Sequence, residues 1–171
     1  KEIDELLQLF STFKQNTKRH FIVNHDHPLT RPLSSHIEND FCCEGMAGYT
    51  GRSFEQKGFS ISFLCNNIHF EIPVIGHHNM ENALAATAAS CAAGLQVSEC
   101  AQALQTFKGI YRRTQLVGIS HGVFVIDDFA HNPAEVSSAI KACQLFCNNV
   151  FALFQPHGFG PLKFMYNELE D

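Results

Sequence analysis

Residues 123–135 read Val-Phe-Val-Ile-Asp-Asp-Phe-Ala-His-Asn-Pro-Ala-Glu, and they constrain the fold more than any other stretch. An apolar run stops at two carboxylates and turns into a helix with its own start signals. Asn132 can cap that helix, Pro133 suits a first turn that needs no donor, and Glu135 stands three residues after the cap as in a capping box. Strand-to-helix crevices of this kind are where α/β folds place ligands. Asp127, Asp128 and His131 are therefore candidate site residues.

Composition narrows the function classes. The chain has 171 residues, 45% of them hydrophobic, enough for one domain or two small ones with packed cores. A net charge of -5, with no Lys/Arg run interleaved with aromatics, argues against nucleic acid. No apolar stretch approaches the roughly 20 residues that span a bilayer, so no membrane role is expected. The acidic N-terminus is unlike a signal peptide, and a cytoplasmic location is expected. Seven cysteines, an odd number without paired CxxC spacing, suit reduced thiols better than a disulfide framework. Cys143 and Cys147 read as core positions, and no metal-ligand set is expected.

Along the chain, Ile3, Leu6, Leu7 and Phe10 recur at helical spacing over 3–13, and Phe21, Ile22 and Val23 follow as a short buried strand. After a His- and Pro-rich loop the pattern over 40–73 has period two, clearest where Phe59, Ile61 and Phe63 alternate with Ser60 and Ser62. Asn66 and Asn67 then predict a hairpin turn before a strand at 68–72. An alanine-rich helix follows Gly76 and stops at Gly94, and its small side chains predict close packing on a sheet. A second short helix, capped by Ser98, reaches Phe107.

A domain boundary falls near Ile110, dividing 1–110 from 111–171. Beyond it come two strands around residues 118–122 and a helix with Val136, Ile140, Cys143 and Cys147 on one face. An apolar strand at 150–154 and a helical stretch from Leu162 complete the order. That order argues for an α/β class with a right-handed parallel unit.

Four clusters can carry chemistry. In GHHNMENALAA (76–86), Asn79 and Asn82 share a helix face, and carboxamides beside the His78 imidazole suit the edge of an adenine-like base; Asn79 as a plain cap is the alternative. The Arg112–Arg113 pair is either a phosphate fork at the boundary or a solvated basic pair. Asp128 either accepts ribose hydroxyls or holds a local turn, and His131 can meet phosphate or move a proton. Finally, residues 154–161 carry glycines that either admit a ligand or make a turn.

Taken together, GHHNMENALAA (76–86), FKGIYRRTQLVG (107–118), VFVIDDFAHNPAEV (123–136) and ALFQPHG (152–158) resemble, in order and spacing, the Mur ligases, ATP-dependent amide-forming enzymes. The resemblance implies a partial central Mur ligase domain, a mixed sheet with helices, over 1–110, and the start of a Rossmann-like C-terminal α/β domain over 111–171. It implies that His78, Asn79 and Asn82 contact adenine, Arg113 reaches phosphate, Asp128 binds ribose, His131 serves catalysis with Arg113, and His157 faces the acceptor substrate. The implied cofactors are ATP and Mg2+. The implied substrates are UDP-N-acetylmuramate and an amino acid or peptide, joined through an acyl phosphate in peptidoglycan synthesis. Within the family the pattern is nearest the branch that adds L-alanine, with the tripeptide-recycling branch and a noncatalytic nucleotide-binding scaffold as alternatives.

The departures are specific. No glycine-rich phosphate loop with its lysine occurs, since Gly48-Tyr49-Thr50-Gly51-Arg52-Ser53 lacks both lysine and spacing. The resemblance therefore implies a chain that starts midway through the ATP-binding domain, with the phosphate loop and magnesium ligands upstream and the rest of the ligase as its partner. Gly158, Phe159, Gly160 and Pro161 stand where the alanine-adding branch carries arginines, and Asn132 replaces a second histidine.

Overall fold

The computed structural model describes residues 2–156 together with 158, 159 and 163. It opens with helix α1 (Glu2–Asn16), followed after a long loop by β1 (Phe41–Cys42), β2 (Tyr49–Lys57), β3 (Ser60–Cys65) and β4 (Ile68–Ile72). Then come α2 (His77–Ala92), α3 (Val97–Leu104), β5 (Gln115–Ser120), β6 (Val123–Asp127) and α4 (Pro133–Gln144). The architecture is mixed α/β: β1–β4 form one sheet in sequence order, with β1 parallel to β2 and the rest antiparallel, and β5–β6 form a separate antiparallel pair. Among the described residues no helix is long and apolar enough to cross a membrane.

Period-two patterning builds the core. Ile61, Phe63 and Cys65 of β3 and Phe70 and Ile72 of β4 all point to one buried face. Phe63 lies opposite Phe70 in register, and their rings stack with centroids 4.9 Å apart. Helices α2 and α3 cover that face with Met80, Ala83, Leu84, Cys100 and Ala101. The expected close approach is real: a Cβ on Gly51 of β2 would lie 2.8 Å from Leu84 Cδ1 and 3.0 Å from Met80 Sδ, so the small residue lets α2 settle on the sheet. The β3–β4 turn is left-handed at both Asn66 and Asn67 (φ 50° and 62°), as the hairpin reading requires. Gly94, at φ 107°, follows the end of α2 as expected.

Four expectations are corrected. Residues 21–23 make no strand. Val23 donates its N–H to the buried Asp40 carboxylate at 3.0 Å, so a side chain takes the place of a ladder, and only one bridge, Asn24 to Phe41, remains. The cap of α3 is Gln96, not Ser98, in a capping box with Glu99, whose Oε2 accepts the Gln96 N–H at 2.7 Å. Two strands do lie around residues 118–122, joined as a hairpin closed at His121 and Gly122 (φ 49° and 81°), but among the described residues β6 gains no parallel partner across α4, so the parallel unit is not formed. Residues 150–154 form no strand either, with Phe151 and Leu153 fully exposed and no described edge pairing with their backbone. An apolar run becomes a strand only where a neighbour takes up its N–H and C=O groups. The helix expected from Leu162 lies outside the described residues.

The stacked Phe63–Phe70 pair sets the stability of this sheet. Phe70→Ala should cost about 3–5 kcal/mol in urea unfolding, while His69→Ala on the exposed face should stay within about 0.5 kcal/mol. Equal effects would show that the sheet's buried face is misassigned.

Candidate functional site

The site begins where β4 hands the chain to α2. Gly76 caps that helix at φ 92° and ψ 144° without a side-chain bond. A Cβ there would sit 2.5 Å from His78 Cε1 and 2.8 Å from Ala142 Cβ, so only glycine lets the backbone pass between the imidazole and α4. Its N–H donates to Gln56 Oε1 at 2.8 Å, and Gln56 Nε2 donates to the Ala142 carbonyl at 3.0 Å. One carboxamide of β2 therefore ties the start of α2 to the body of α4. Sequence reasoning missed Gln56 because its partners lie 20 and 86 residues away.

On the first turns of α2, Asn79 is not the cap. Its Nδ2 donates to the Ile75 carbonyl at 2.7 Å and lies 3.2 Å from His78 Nε2, while Asn82 Nδ2 donates to Asn79 Oδ1 at 3.4 Å. With Asn79 as donor, His78 Nε2 must accept, which fixes a neutral imidazole protonated on Nδ1. Burial agrees: it holds the His78 pKa below its ordinary value, against the opposing pull of Asp128 and Glu81.

The arginine pair divides its work. Arg112 is spent on structure, its Nε 3.1 Å from Asp127 Oδ2 and its guanidinium 5.3 Å from the Phe129 ring centroid. Arg113 is half-exposed and reaches Glu135 Oε1 only at 3.9 Å. Arg112 and Thr114 on either side of it are left-handed, φ 56° and 44°, at a cost of about 1–3 kcal/mol each. Asp128 offsets this. Its Oδ2 accepts the Thr114 N–H at 2.7 Å and its Oδ1 the Ala130 N–H at 2.7 Å, and charge-assisted bonds contribute about 1.5–3 kcal/mol each. Asp128 thus holds a local turn, one of its two sequence readings.

Asn132 caps α4 as expected, accepting the Glu135 N–H at 3.0 Å, with Pro133 as the first helical residue. Glu135 Oε2 reaches back to the His131 N–H at 3.1 Å, one residue before the cap, and lies 3.3 Å from His131 Nδ1. That nitrogen is also 3.1 Å from the Phe129 carbonyl.

His78, Asn79, Asn82, Arg113 and Asp128, drawn from three separated segments, line one cavity of about 570 Å³ together with Val74, Phe107, Thr114 and α4. His131 is not among its lining residues, and His157 lies outside the described residues. A second cleft of about 670 Å³ runs between β6, α4 and residues 146–154; its Val136, Ile140 and Phe146 walls make it mainly apolar.

A half-buried histidine held neutral makes stability fall with acid. The unfolded chain takes up a proton near pH 6.5 and the folded chain only at lower pH, so stability is full above 6.5 and declines as pH falls toward the folded value. His78→Gln should flatten that decline when urea midpoints are compared at about pH 7.5 and about pH 5.5. Parallel declines in both proteins would refute a neutral His78 in the folded chain.

Residues 3–90, over half of the chain, match the Mur ligase middle domain. The chain is 41% identical over 100 residues to UDP-N-acetylmuramate–L-alanine ligase of Gluconobacter oxydans, covering 58% of this chain and 21% of that protein. It is 34% identical over 123 residues to the ligase of the same name from Acetivibrio thermocellus, covering 68% of this chain and 26% of that one. It therefore spans about a quarter of the length of these relatives. The crystal structure of UDP-N-acetylmuramate-alanine ligase MurC from Thermotoga maritima superposes with a TM-score of 0.71 at 23% identity, over 84% of this chain and 34% of that one, a likeness of fold. The mixed α/β fold, the order of the site segments and the match over residues 3–90 lead to one conclusion: the chain belongs to the Mur ligase family.

Proposed function

We propose that the intact protein joins L-alanine to UDP-N-acetylmuramate in peptidoglycan synthesis, and that this chain supplies the adenine and ribose half of its ATP site. One observation carries the reading: the cavity under α2 gathers a neutral imidazole, two carboxamides, a carboxylate and a loosely paired guanidinium. Its volume of about 570 Å³ suits a small-molecule ligand. Residues 1–110 act as part of the central domain, and residues 111–171 as the opening of the next.

The residues fit a nucleotide. His78 and Asn82 offer an aromatic face and an amide to a base, and each Asp128 oxygen, holding one backbone N–H, keeps a lone pair for a ribose hydroxyl. Arg113 trades its long contact with Glu135 for phosphate oxygens, which a planar fork matches better. ATP with Mg2+ supplies the phosphoryl group that turns the acceptor carboxylate into an acyl phosphate. The chain's own part is to place the nucleotide and stabilise charge. Glu135 and the Phe129 carbonyl hold His131 in the loop between β6 and α4, which it helps to order.

The intact enzyme should release phosphate from ATP only when both UDP-N-acetylmuramate and L-alanine are present. Arg113→Ala should lower kcat roughly a hundredfold with a much smaller change in nucleotide Kd. Phosphate release without the acceptor, or equal losses in kcat and affinity, would contradict this function.

A further inference from the structure

At the N-terminus of α2, outside the set of residues that line that cavity, a second group of side chains converges. We infer that Cys43, His77 and Glu81 form a site for a zinc-like divalent cation that clamps the segment after β1 to the first turn of α2. One ligand atom from each residue, a thiol sulfur, a ring nitrogen and a carboxylate oxygen, lies within 4.8 Å of the other two. His77 and Glu81 are one helical turn apart, with Nδ1 and Oε1 separated by 3.4 Å. Tetrahedral zinc ligands at about 2.0–2.3 Å from the metal stand roughly 3.3–3.8 Å from one another, so small side-chain rotations close the set.

The donors are built in. The Asp26 carboxylate accepts the backbone N–H groups of Cys43, Glu44 and Gly45, which fixes the Cys43 main chain. The Phe54 ring meets the His77 imidazole edge-on, with centroids 5.1 Å apart. Burial first, and then the carboxylates of Glu81 and Asp26, push the Cys43 thiol up to about 12, and no cationic side chain is among the groups acting on it. A bound cation reverses that balance: the thiol proton leaves to solvent, the sulfur lone pair forms the metal bond, and the metal offsets the surrounding carboxylates. A thiolate, imidazole and carboxylate set favours zinc over magnesium or calcium, and three protein ligands leave a fourth position for water.

The site uses none of the cavity's five residues, so its test is independent of the ligase reading. Titrating the intact protein with Co2+ should give one equivalent of tetrahedral d–d absorption plus a near-ultraviolet thiolate-to-metal band. One equivalent of Zn2+ should displace it, and millimolar Mg2+ should not. Cys43→Ser should abolish the thiolate band, His77→Ala and Glu81→Gln should each weaken affinity at least tenfold, and His25→Ala with His27→Ala should change nothing. Half-exposed His77 and Glu81 tolerate substitution, so those variants decide the matter even if Cys43→Ser unfolds. Absence of the thiolate band in the native protein, its survival in Cys43→Ser, or unweakened binding by His77→Ala would overturn the inference.

Discussion

The Asp128 carboxylate holds the site together. Two backbone N–H groups, from Thr114 and Ala130, converge on its two oxygens, so one side chain joins the loop before β5 to the loop after β6. Without it, the left-handed Arg112 and Thr114 would relax, because a β-branched residue at positive φ persists only where its surroundings over-determine it. Arg113 sits between those two residues, and its aim at the cavity depends on their conformation.

Around that carboxylate, β2, β6 and α4 are tied by contacts between distant parts of the chain. Gln56 joins β2, the Gly76 turn and α4 through two hydrogen bonds. Phe59, just after β2, packs with Phe124 of β6 and Phe146 beyond α4, the three ring centroids lying 4.9 to 5.6 Å apart. The polar bridge and the aromatic trio act together: the bridge fixes orientation, and the rings remove apolar area from water. Among the described residues that line the cavity, Arg113 is a loosely held cation, its contact with Glu135 as long as 3.9 Å.

Local chemistry was legible in the sequence. The Asn132 cap with Pro133, the Asn66–Asn67 turn, the Gly94 stop and the alanine-rich helix all rest on interactions within a few residues, and each is found. What could not be read depends on partners far along the chain. Gln56 looks like any polar residue of a strand until Gly76 and Ala142 arrive beside it. Spacing alone does not tell the two arginines apart, and the physical difference between them lies in Asp127 and Phe129, which occupy Arg112. Residues 150–154 have strand composition, but pairing is decided by an available edge and not by propensity. The contacts of His131 Nδ1 with Glu135 and the Phe129 carbonyl are likewise not revealed by any spacing rule.

The central proposal is that an adenine base lies between the first turns of α2 and the segment leading to Arg113. Photolabelling the intact protein with an azido-adenine nucleotide, followed by mass-spectrometric mapping, addresses it directly. Labels confined to residues 74–82 and 107–114, and suppressed by excess ATP, are the expected result. ATP-sensitive labels concentrated in the apolar cleft at residues 146–154, with none in those two segments, would contradict it.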